Sequence, residues 1–372
     1  MDGISTKQNV DKKVFKIAIL PTEHKAVLDT CSALSQKGLA EIIFLKVDSQ
    51  AQIDLDHLEK TCSKGIDLLS TMAANNEVGT IYPIQQIGEI AQHYGIPFLC
   101  DGSQAVGKIP INFSEWGITF LAISGHKFYA PKGIGALVLR RGQRLKPLIY
   151  GGGHQRGTRS GTLNVPGIVG LGEACRLRSR EMAEDEQRIA QQRDRLQSLL
   201  QSAIPHLVVN GDLQHRLAGN LHISIPGIPN SAVIARVRNQ LAISTGSACS
   251  SGVETPSHVL TAMKLPSEVI EGALRIGLGK FTTDDEVEQA ADILISAYPI
   301  CTQRLKTHRL AGWTAAVSIQ LYFLKTFPSR ETVATPVYDF IFASHGKLDD
   351  RIGISGFLSS GCATLSLCKL SA

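Results

Sequence analysis

Paired cysteines, blocks of like charge and long apolar runs are all missing from this sequence. Its eight cysteines lie singly, without a Cys-x-x-Cys, so neither a zinc or other metal site nor a disulfide framework is predicted. Uncharged stretches such as Leu310 to Leu324 are shorter than the roughly 20 residues that a membrane-spanning helix needs. The net charge of +5 is spread along the chain without a basic run, which argues against a nucleic-acid partner. Since the first fifteen residues also lack the apolar core of a signal peptide, we expect a cytoplasmic protein with no membrane contact.

The first half of the sequence alternates short apolar runs with amphipathic segments. Such alternation is typical of an α/β protein with a mainly parallel sheet covered by helices. The predicted strands are Val14–Leu20, Ile42–Val47, Ile66–Ala73, Pro97–Cys100, Phe120–Ile123 and Gly135–Leu139. The predicted helices are Glu23–Lys37 and Ile84–Tyr94.

The second half begins with an amphipathic helix predicted over Glu181–Gln201, which we interpret as the bridge to a second domain. Strands are predicted near Leu207–Val209 and Asn220–Ile225, with helices near Ala232–Gln240 and Thr283–Ala297. Together these elements predict a smaller α+β unit. We therefore divide the chain into a large domain (1–182), a small domain (183–303) and a tail (304–372) without an assigned role.

Polar side chains follow several of the predicted strands, where open α/β sheets place their ligands. Lys127 ends the motif Ser124-Gly125-His126-Lys127 after an apolar run, and desolvation there would favour the neutral amine that a Schiff-base lysine needs. The alternative is a lysine that extends to solvent. Asp101 follows another apolar run, with Gln104 three residues later. A carboxylate and an amide donor suit the ring nitrogen and phenolic oxygen of pyridoxal phosphate (PLP), although Asp101 could equally cap the next helix.

Three further features are candidates for binding or catalysis. The Gly-rich loop Gly151–Thr162 contains basic side chains that suit a phosphate, or it is an ordinary mobile surface loop. Arg275 lies in an apolar stretch, which fits either a substrate carboxylate or a structural ion pair. Cys249 stands among Ser and Gly residues, where a thiol is exposed and reactive rather than part of a core.

Seven short motifs in order resemble those of the NifS/IscS-type cysteine desulfurases, which are class V aminotransferase-like enzymes of PLP fold type I. The resemblance covers roughly residues 20–300. The motifs are Thr22-Glu23-His24-Lys25-Ala26-Val27, Asn75-Asn76-Glu77-Val78-Gly79, Asp101-Gly102-Ser103-Gln104, Ser124-Gly125-His126-Lys127, Arg159-Ser160-Gly161-Thr162, Gly246-Ser247-Ala248-Cys249 and Leu274-Arg275.

The resemblance implies a role for each matching residue. It assigns Lys127 as the lysine that binds PLP covalently, Asp101 to the ring nitrogen, Gln104 to the phenolic oxygen, and His24 as the stacking side chain with a catalytic role. It places Ser124 and His126 at the phosphate, with Thr162 reaching it from the partner subunit of a homodimer. Asn76 and Arg275 would hold the carboxylate of L-cysteine, with Asn76 also near the cofactor. Cys249 would take the sulfur as a persulfide, release alanine and deliver the sulfur to an acceptor or scaffold protein for iron-sulfur or thio-cofactor assembly.

The sequence also departs from the family. The family's Gly-Ala-Thr-Glu turn, which cradles the PLP phosphate, is not found in residues 1–20, and the tail after residue 304 does not resemble the family. Two alternatives stand beside the desulfurase interpretation, and the second rests on the missing turn. One is a different PLP enzyme, such as a selenocysteine lyase or an aminotransferase. The other is a catalytically impaired relative that acts as a binding partner.

Overall fold

The computed structural model describes residues 13–244 and 256–311, with side chains described as far as residue 301. All contacts discussed below lie within these residues. No helix in these two ranges is both long enough and apolar enough to cross a membrane.

A six-stranded sheet forms the first part of the fold. Its order is β2-β1-β3-β4-β5-β6, and every neighbouring pair is parallel except β5 and β6, which run antiparallel. The strands are β1 (Phe15–Ile19), β2 (Ala40–Phe44), β3 (Leu68–Met72), β4 (Phe98–Asp101), β5 (Phe120–Ser124) and β6 (Gly135–Leu139). The predicted mainly parallel sheet is confirmed.

Both faces of this sheet are buried, because apolar side chains on its central strands point both ways. In β1, Ile17 and Ile19 pack into one core cluster, whereas Ala18 and the following Leu20 pack into another on the opposite side. Such two-sided burial is expected for parallel strands covered by helices. The covering helices are α1 (Lys25–Gln36), α2 (Leu55–Ser63) and α3 (Ile84–His93).

A long helix, α4 (Val165–Ala203), follows the first sheet. It begins sixteen residues before the predicted Glu181, because Asn164 caps the backbone N–H of Gly167 and a proline occupies the first turn, where it costs no hydrogen bond. The predicted boundary between residues 182 and 183 falls inside α4, and the division into domains stays a prediction.

A three-stranded antiparallel sheet in the order β7-β8-β9 forms the second part of the fold. Its strands are β7 (Val208–Val209), β8 (Asn220–Ser224) and β9 (Ala273–Gly277). The remaining helices are α5 (Asn230–Val237), α6 (His258–Ala262), α7 (Ser267–Glu271) and α8 (Asp284–Ala311). Strand β9, which carries Arg275, was not predicted. Of the tail assigned to 304–372, residues 312–372 lie outside the described residues.

Candidate active site

A cavity of about 230 Å³ brings together residues from distant parts of the chain. Four of the predicted site residues line it: Asn76, Gln104, Lys127 and Arg275. The remaining lining residues are Lys108, Tyr129, Glu186, Ile189, Leu217, Gly219, Asn220, Gly277 and Leu278. The cavity is therefore formed by loops that follow strands of the large sheet, by α4 and by the small sheet.

The end of β4 supplies a buried carboxylate and an amide. Asp101 is the last residue of the strand, and its Oδ1 accepts a hydrogen bond of 2.9 Å from the N–H of Ser103. This bond fixes the turn that carries Gln104 to the cavity. Asp101 thus organises a turn and not the start of a helix that the capping alternative predicted, and it is buried.

Lys127 lies three residues beyond the end of β5, in a 3-10 turn formed by Gly125–Phe128. Its side chain lines the cavity, but the residue is exposed. The expectation that burial would desolvate this lysine is therefore wrong, because the turn carries it out of the buried strand. The turn ends at Tyr129 in a left-handed backbone conformation (φ 73°), and the hydroxyl of Tyr129 accepts a hydrogen bond of 2.8 Å from the N–H of Lys280.

The turn after β3 presents Asn76 to the cavity. The neighbouring Asn75 is fully buried, and its Oδ1 accepts hydrogen bonds from the N–H groups of Glu77 and Val78. Asn76 is thereby held in place, and its own Oδ1 is buried without a hydrogen-bond partner among the described residues. Because an unpaired buried oxygen is costly in a folded protein, this atom is a candidate for ligand contact.

Arg275, at the centre of β9, connects this turn to a neighbouring segment. Its Nη1 donates to the carbonyl oxygen of Asn76 and its Nη2 donates to Oγ of Ser244, both at 3.1 Å. No ion pair involving Arg275 is found among the described residues. Its neutral partners favour a role at the cavity over the structural ion pair that the sequence left open.

His24 lies at the start of α1, where its Nδ1 accepts a hydrogen bond of 3.1 Å from the N–H of Ala26. Because Nδ1 is the acceptor, the neutral ring carries its proton on Nε2. Burial lowers the pKa of His24; the charge of Asp101 opposes that shift, and the charge of Lys127 adds to it. His24, Asp101 and Lys127 are therefore electrostatic neighbours, although His24 and Asp101 do not line the cavity itself.

Three residues predicted to bind a phosphate do not line the cavity. Oγ of Ser124 and Nδ1 of His126 lie 3.1 Å apart at the start of the Lys127 turn. Burial lowers the pKa of His126, and the charges of Lys127 and Lys132 lower it further. Thr162 is exposed in the Gly-rich loop. Residues 1–20, which do not contain the family's Gly-Ala-Thr-Glu turn, lie mostly outside the described part of the chain.

Cys249, the predicted sulfur acceptor, lies outside the described residues, within 245–255. The described residues on either side of this range are connected to the Asn76 turn, Ser257 directly and Ser244 through Arg275. Ser244 accepts from Arg275, and Oγ of Ser257 donates a 2.5 Å hydrogen bond to Oε2 of Glu77. Ser244 and Ser257 are thus joined by hydrogen bonds to Arg275 and to the Asn76 turn, both of which contribute to the cavity.

The charged lining of the cavity is mainly positive. Lys108, Lys127 and Arg275 contribute cations, whereas Glu186 contributes the carboxylate. Such a lining favours an anionic ligand. Sequence reasoning missed Lys108 and Glu186. Lys108 could have been found as the residue one helical turn after Gln104, but Glu186 has no local sequence signal because it reaches the cavity from α4.

Comparison with known proteins agrees with this geometry. The family model described as aminotransferase class-V matches residues 5–290. The cysteine desulfurase IscS of Ehrlichia chaffeensis is 43% identical over 284 residues, which are 76% of this chain and 69% of that protein. A cysteine desulfurase of Nostoc sp. is 41% identical over 300 residues, covering 79% of this chain and 74% of that protein. The solved structure of a NifS-like protein superposes with a TM-score of 0.71 at 34% identity, covering 78% of this chain and 76% of that one.

Proposed function

The chain belongs to the aminotransferase class-V family, and from this we propose that it is a PLP-dependent cysteine desulfurase. It would convert L-cysteine to L-alanine and pass the sulfur through Cys249 to an acceptor protein. The observation that carries the proposal is the shared cavity, in which Lys127, Gln104, Asn76 and Arg275 meet. The relatives' names favour this reaction over a selenocysteine lyase or an aminotransferase.

The residues around the cavity fit PLP. The amine of Lys127 is accessible for covalent attachment, the buried Asp101 could pair with the ring nitrogen, and Gln104 could donate to the phenolic oxygen. His24 would stack on the ring, while Ser124, His126 and the partner subunit's loop with Thr162 would bind the phosphate. When bound, PLP withdraws electrons from the α-carbon of an amino acid, which makes cleavage of the bonds around that carbon possible.

The substrate carboxylate is assigned to Arg275 and Asn76. A guanidinium group can donate two parallel hydrogen bonds to a carboxylate. Both Nη atoms of Arg275 donate to neutral oxygens of Asn76 and Ser244, and a carboxylate would offer stronger, charge-assisted acceptors in the same place. Arg275 would thereby exchange a structural contact for substrate binding.

Cys249 would act on the sulfur of the bound substrate. Its thiolate forms a bond to that sulfur, and the carbon–sulfur bond breaks with its electron pair left on the carbon. Protonation of that carbon and release of the product give alanine, while the persulfide on Cys249 retains the sulfur. A sulfur-acceptor or scaffold protein would then remove the sulfur from Cys249. We propose the cytoplasm as the place of this transfer.

A homodimer is the proposed assembly, with the Gly-rich loop at its interface. Large apolar side chains are exposed on both sides of this loop, among them Tyr150 at 78% and Val169 at 65%. Thr162 lies between them in the chain, where it could reach a neighbouring subunit. Exposed apolar groups of this kind are typical of protein–protein contacts.

The test is the visible absorption spectrum of the purified protein after mixing with PLP and desalting, compared with Lys127→Ala. A band retained by the wild type and lost in the variant is the expected result. Cysteine-dependent alanine release should then disappear in Cys249→Ala and persist in Cys175→Ala, a matched change of an exposed cysteine. Failure of the wild type to retain PLP would overturn the enzyme proposal and favour the impaired relative. Alanine release that survives Cys249→Ala would overturn the sulfur-acceptor role.

A further inference from the structure

Lys108 contacts the cavity in a way that the proposed function does not use. Its Nζ donates a hydrogen bond of 3.1 Å to Oε1 of Gln104, four residues earlier, and both side chains line the cavity. Nε2 of Gln104 has no hydrogen-bond acceptor among the described residues. The amide oxygen of Gln104 is thus engaged, and its N–H donors are available to a ligand.

The charges around Lys108 come from two elements, α4 and the 3-10 turn that carries Lys127. Burial lowers its pKa to about 8; the carboxylate of Glu186 opposes this shift, and the positive charges of Lys127 and Arg178 add to it. Glu186 itself is held by Arg178, whose Nη2 donates to Oε1 at 2.6 Å. Glu186 and Arg178 both lie in α4, so this helix supplies one charge that favours the protonated lysine and one that disfavours it.

We propose that Lys108 is a positioning residue that fixes the orientation of the Gln104 side-chain amide. An ammonium group has three donors and no acceptor, so it can bind the amide oxygen but not the amide nitrogen. The protonated lysine therefore keeps Oε1 towards itself and directs the N–H donors of Gln104 into the cavity. In the proposed cofactor site, those donors are the ones needed at the phenolic oxygen, and this part of the inference rests on the proposed function.

Protonation of Lys108 controls how strictly the amide is oriented. A neutral amine keeps donors but gains a lone pair, so it can accept from Nε2 as well as donate to Oε1. Both orientations of the Gln104 amide then become possible. The orientation should be fixed below pH 8 and relax above it.

The first test needs no cofactor. In protein labelled with ¹⁵N-glutamine, the side-chain signal of Gln104 is assigned by its loss in Gln104→Ala. In the wild type this signal should shift with pH, with a midpoint near pH 8, and in Lys108→Met it should be displaced and no longer titrate over that range. Lys132→Met, which removes an exposed lysine that follows the Lys127 turn, is the control and should leave the titration of the Gln104 signal unchanged. A Gln104 signal that does not titrate in the wild type, or titrates equally in Lys108→Met, would overturn the inference.

The second test measures the dissociation constant of PLP by equilibrium titration. Lys108→Met should weaken binding about tenfold, while Lys108→Arg, which also only donates, should restore most of it. In the Gln104→Ala background, Lys108→Met should have little further effect, because its target is already gone. Equal losses in both backgrounds would overturn the positioning role. A wild type that binds no PLP would instead refute the proposed function, and the cofactor-free titration would still decide the role of Lys108.

Discussion

Glu23 offers a quantitative test of how the carboxylates near the site are charged. Its side chain is fully buried, Oε1 accepts a hydrogen bond of 2.7 Å from the N–H of Met72, and Oε2 has no partner among the described residues. Burial raises the pKa of Glu23 well above its ordinary 4.5, and the nearby charge of Asp101 raises it further. The folded protein should therefore hold Glu23 as the neutral acid.

The change to make is Glu23→Gln, a neutral group of the same shape. Its amide oxygen can still accept from Met72, so at pH 5 the free energy of unfolding should change by no more than about 1 kcal/mol. At higher pH the free energy of unfolding of the wild type should become smaller than that of Glu23→Gln. Above pH 4.5 the unfolded chain releases the proton that the folded protein retains, so unfolding becomes easier by about 1.4 kcal/mol per pH unit. This loss continues until the pH passes the raised pKa of the folded state.

Urea unfolding followed by circular dichroism at pH 5, 6 and 7 measures this difference. The stability of the variant relative to the wild type should rise by about 1.4 kcal/mol for each pH unit over which Glu23 stays protonated. Glu184→Gln, an exposed change of the same kind in α4, should show no such trend. A constant difference between wild type and Glu23→Gln across this range would mean that Glu23 is ionised when folded, and would refute the reasoning.

The other predictions concern a buried histidine and two glycines. His222 in β8 is buried, and burial with the charge of Arg275 lowers its pKa to about 3. As pH falls below 6.5 the unfolded chain takes up a proton that His222 does not take up in the folded protein, so His222 alone should lower the free energy of unfolding by about 1.4 kcal/mol per pH unit, a contribution measured by urea unfolding of the wild type against His222→Gln. The stability of His222→Gln relative to the wild type should rise as pH falls, whereas that of exposed His93→Gln should not; a constant difference between wild type and His222→Gln would contradict the prediction. Gly88→Ala should destabilise by about 3 kcal/mol or more, because the added Cβ would lie 1.8 Å from the carbonyl oxygen of Trp116. Gly172→Ala, which meets nothing within 4 Å on α4, should instead stabilise by about 0.5–1 kcal/mol, and equal effects of the two changes on the melting temperature would refute this account.

The large sheet could be predicted from sequence because its strands are nearly continuous apolar runs. The runs ending at Met72, Asp101 and Ser124 are almost completely buried, and polar residues stand at their ends or within three residues after them. The ends of these strands therefore predict where the cavity lies. The same logic located Asn76, Gln104 and Lys127.

Other elements could not be predicted because tertiary contacts decide them. The first half of α4 contains Pro166, Gly167, Gly170 and Gly172, which argue against a helix in a sequence taken alone. In the fold, the proline occupies the first turn, and Gly170 lies where a Cβ would come within 2.7 Å of Pro131. Close packing thus explains a glycine that propensity counts as unfavourable.

The contacts of the cavity residues with one another could not be predicted from the sequence either. The contact of Arg275 with Asn76 joins positions 199 residues apart, which no local pattern encodes. The charged neighbours of Lys108 on α4 are separated from it in the same way. The motifs identified which side chains matter, and only the fold identified what surrounds them.

The left-handed turn at Tyr129 sets an order of events during synthesis of the chain. That conformation is unfavourable for a residue with a side chain. Near the turn, the N–H of Tyr129 donates to the carbonyl oxygen of Gly125 and the guanidinium of Arg178 lies over the ring, while the most distant contacts come from the N–H of Lys280 and the ring of Phe281. Lys280 and Phe281 leave the ribosome about 150 positions after the turn itself. The contacts that Tyr129 makes with Lys280 and Phe281 can therefore form only after the small sheet has emerged, however early the large sheet forms.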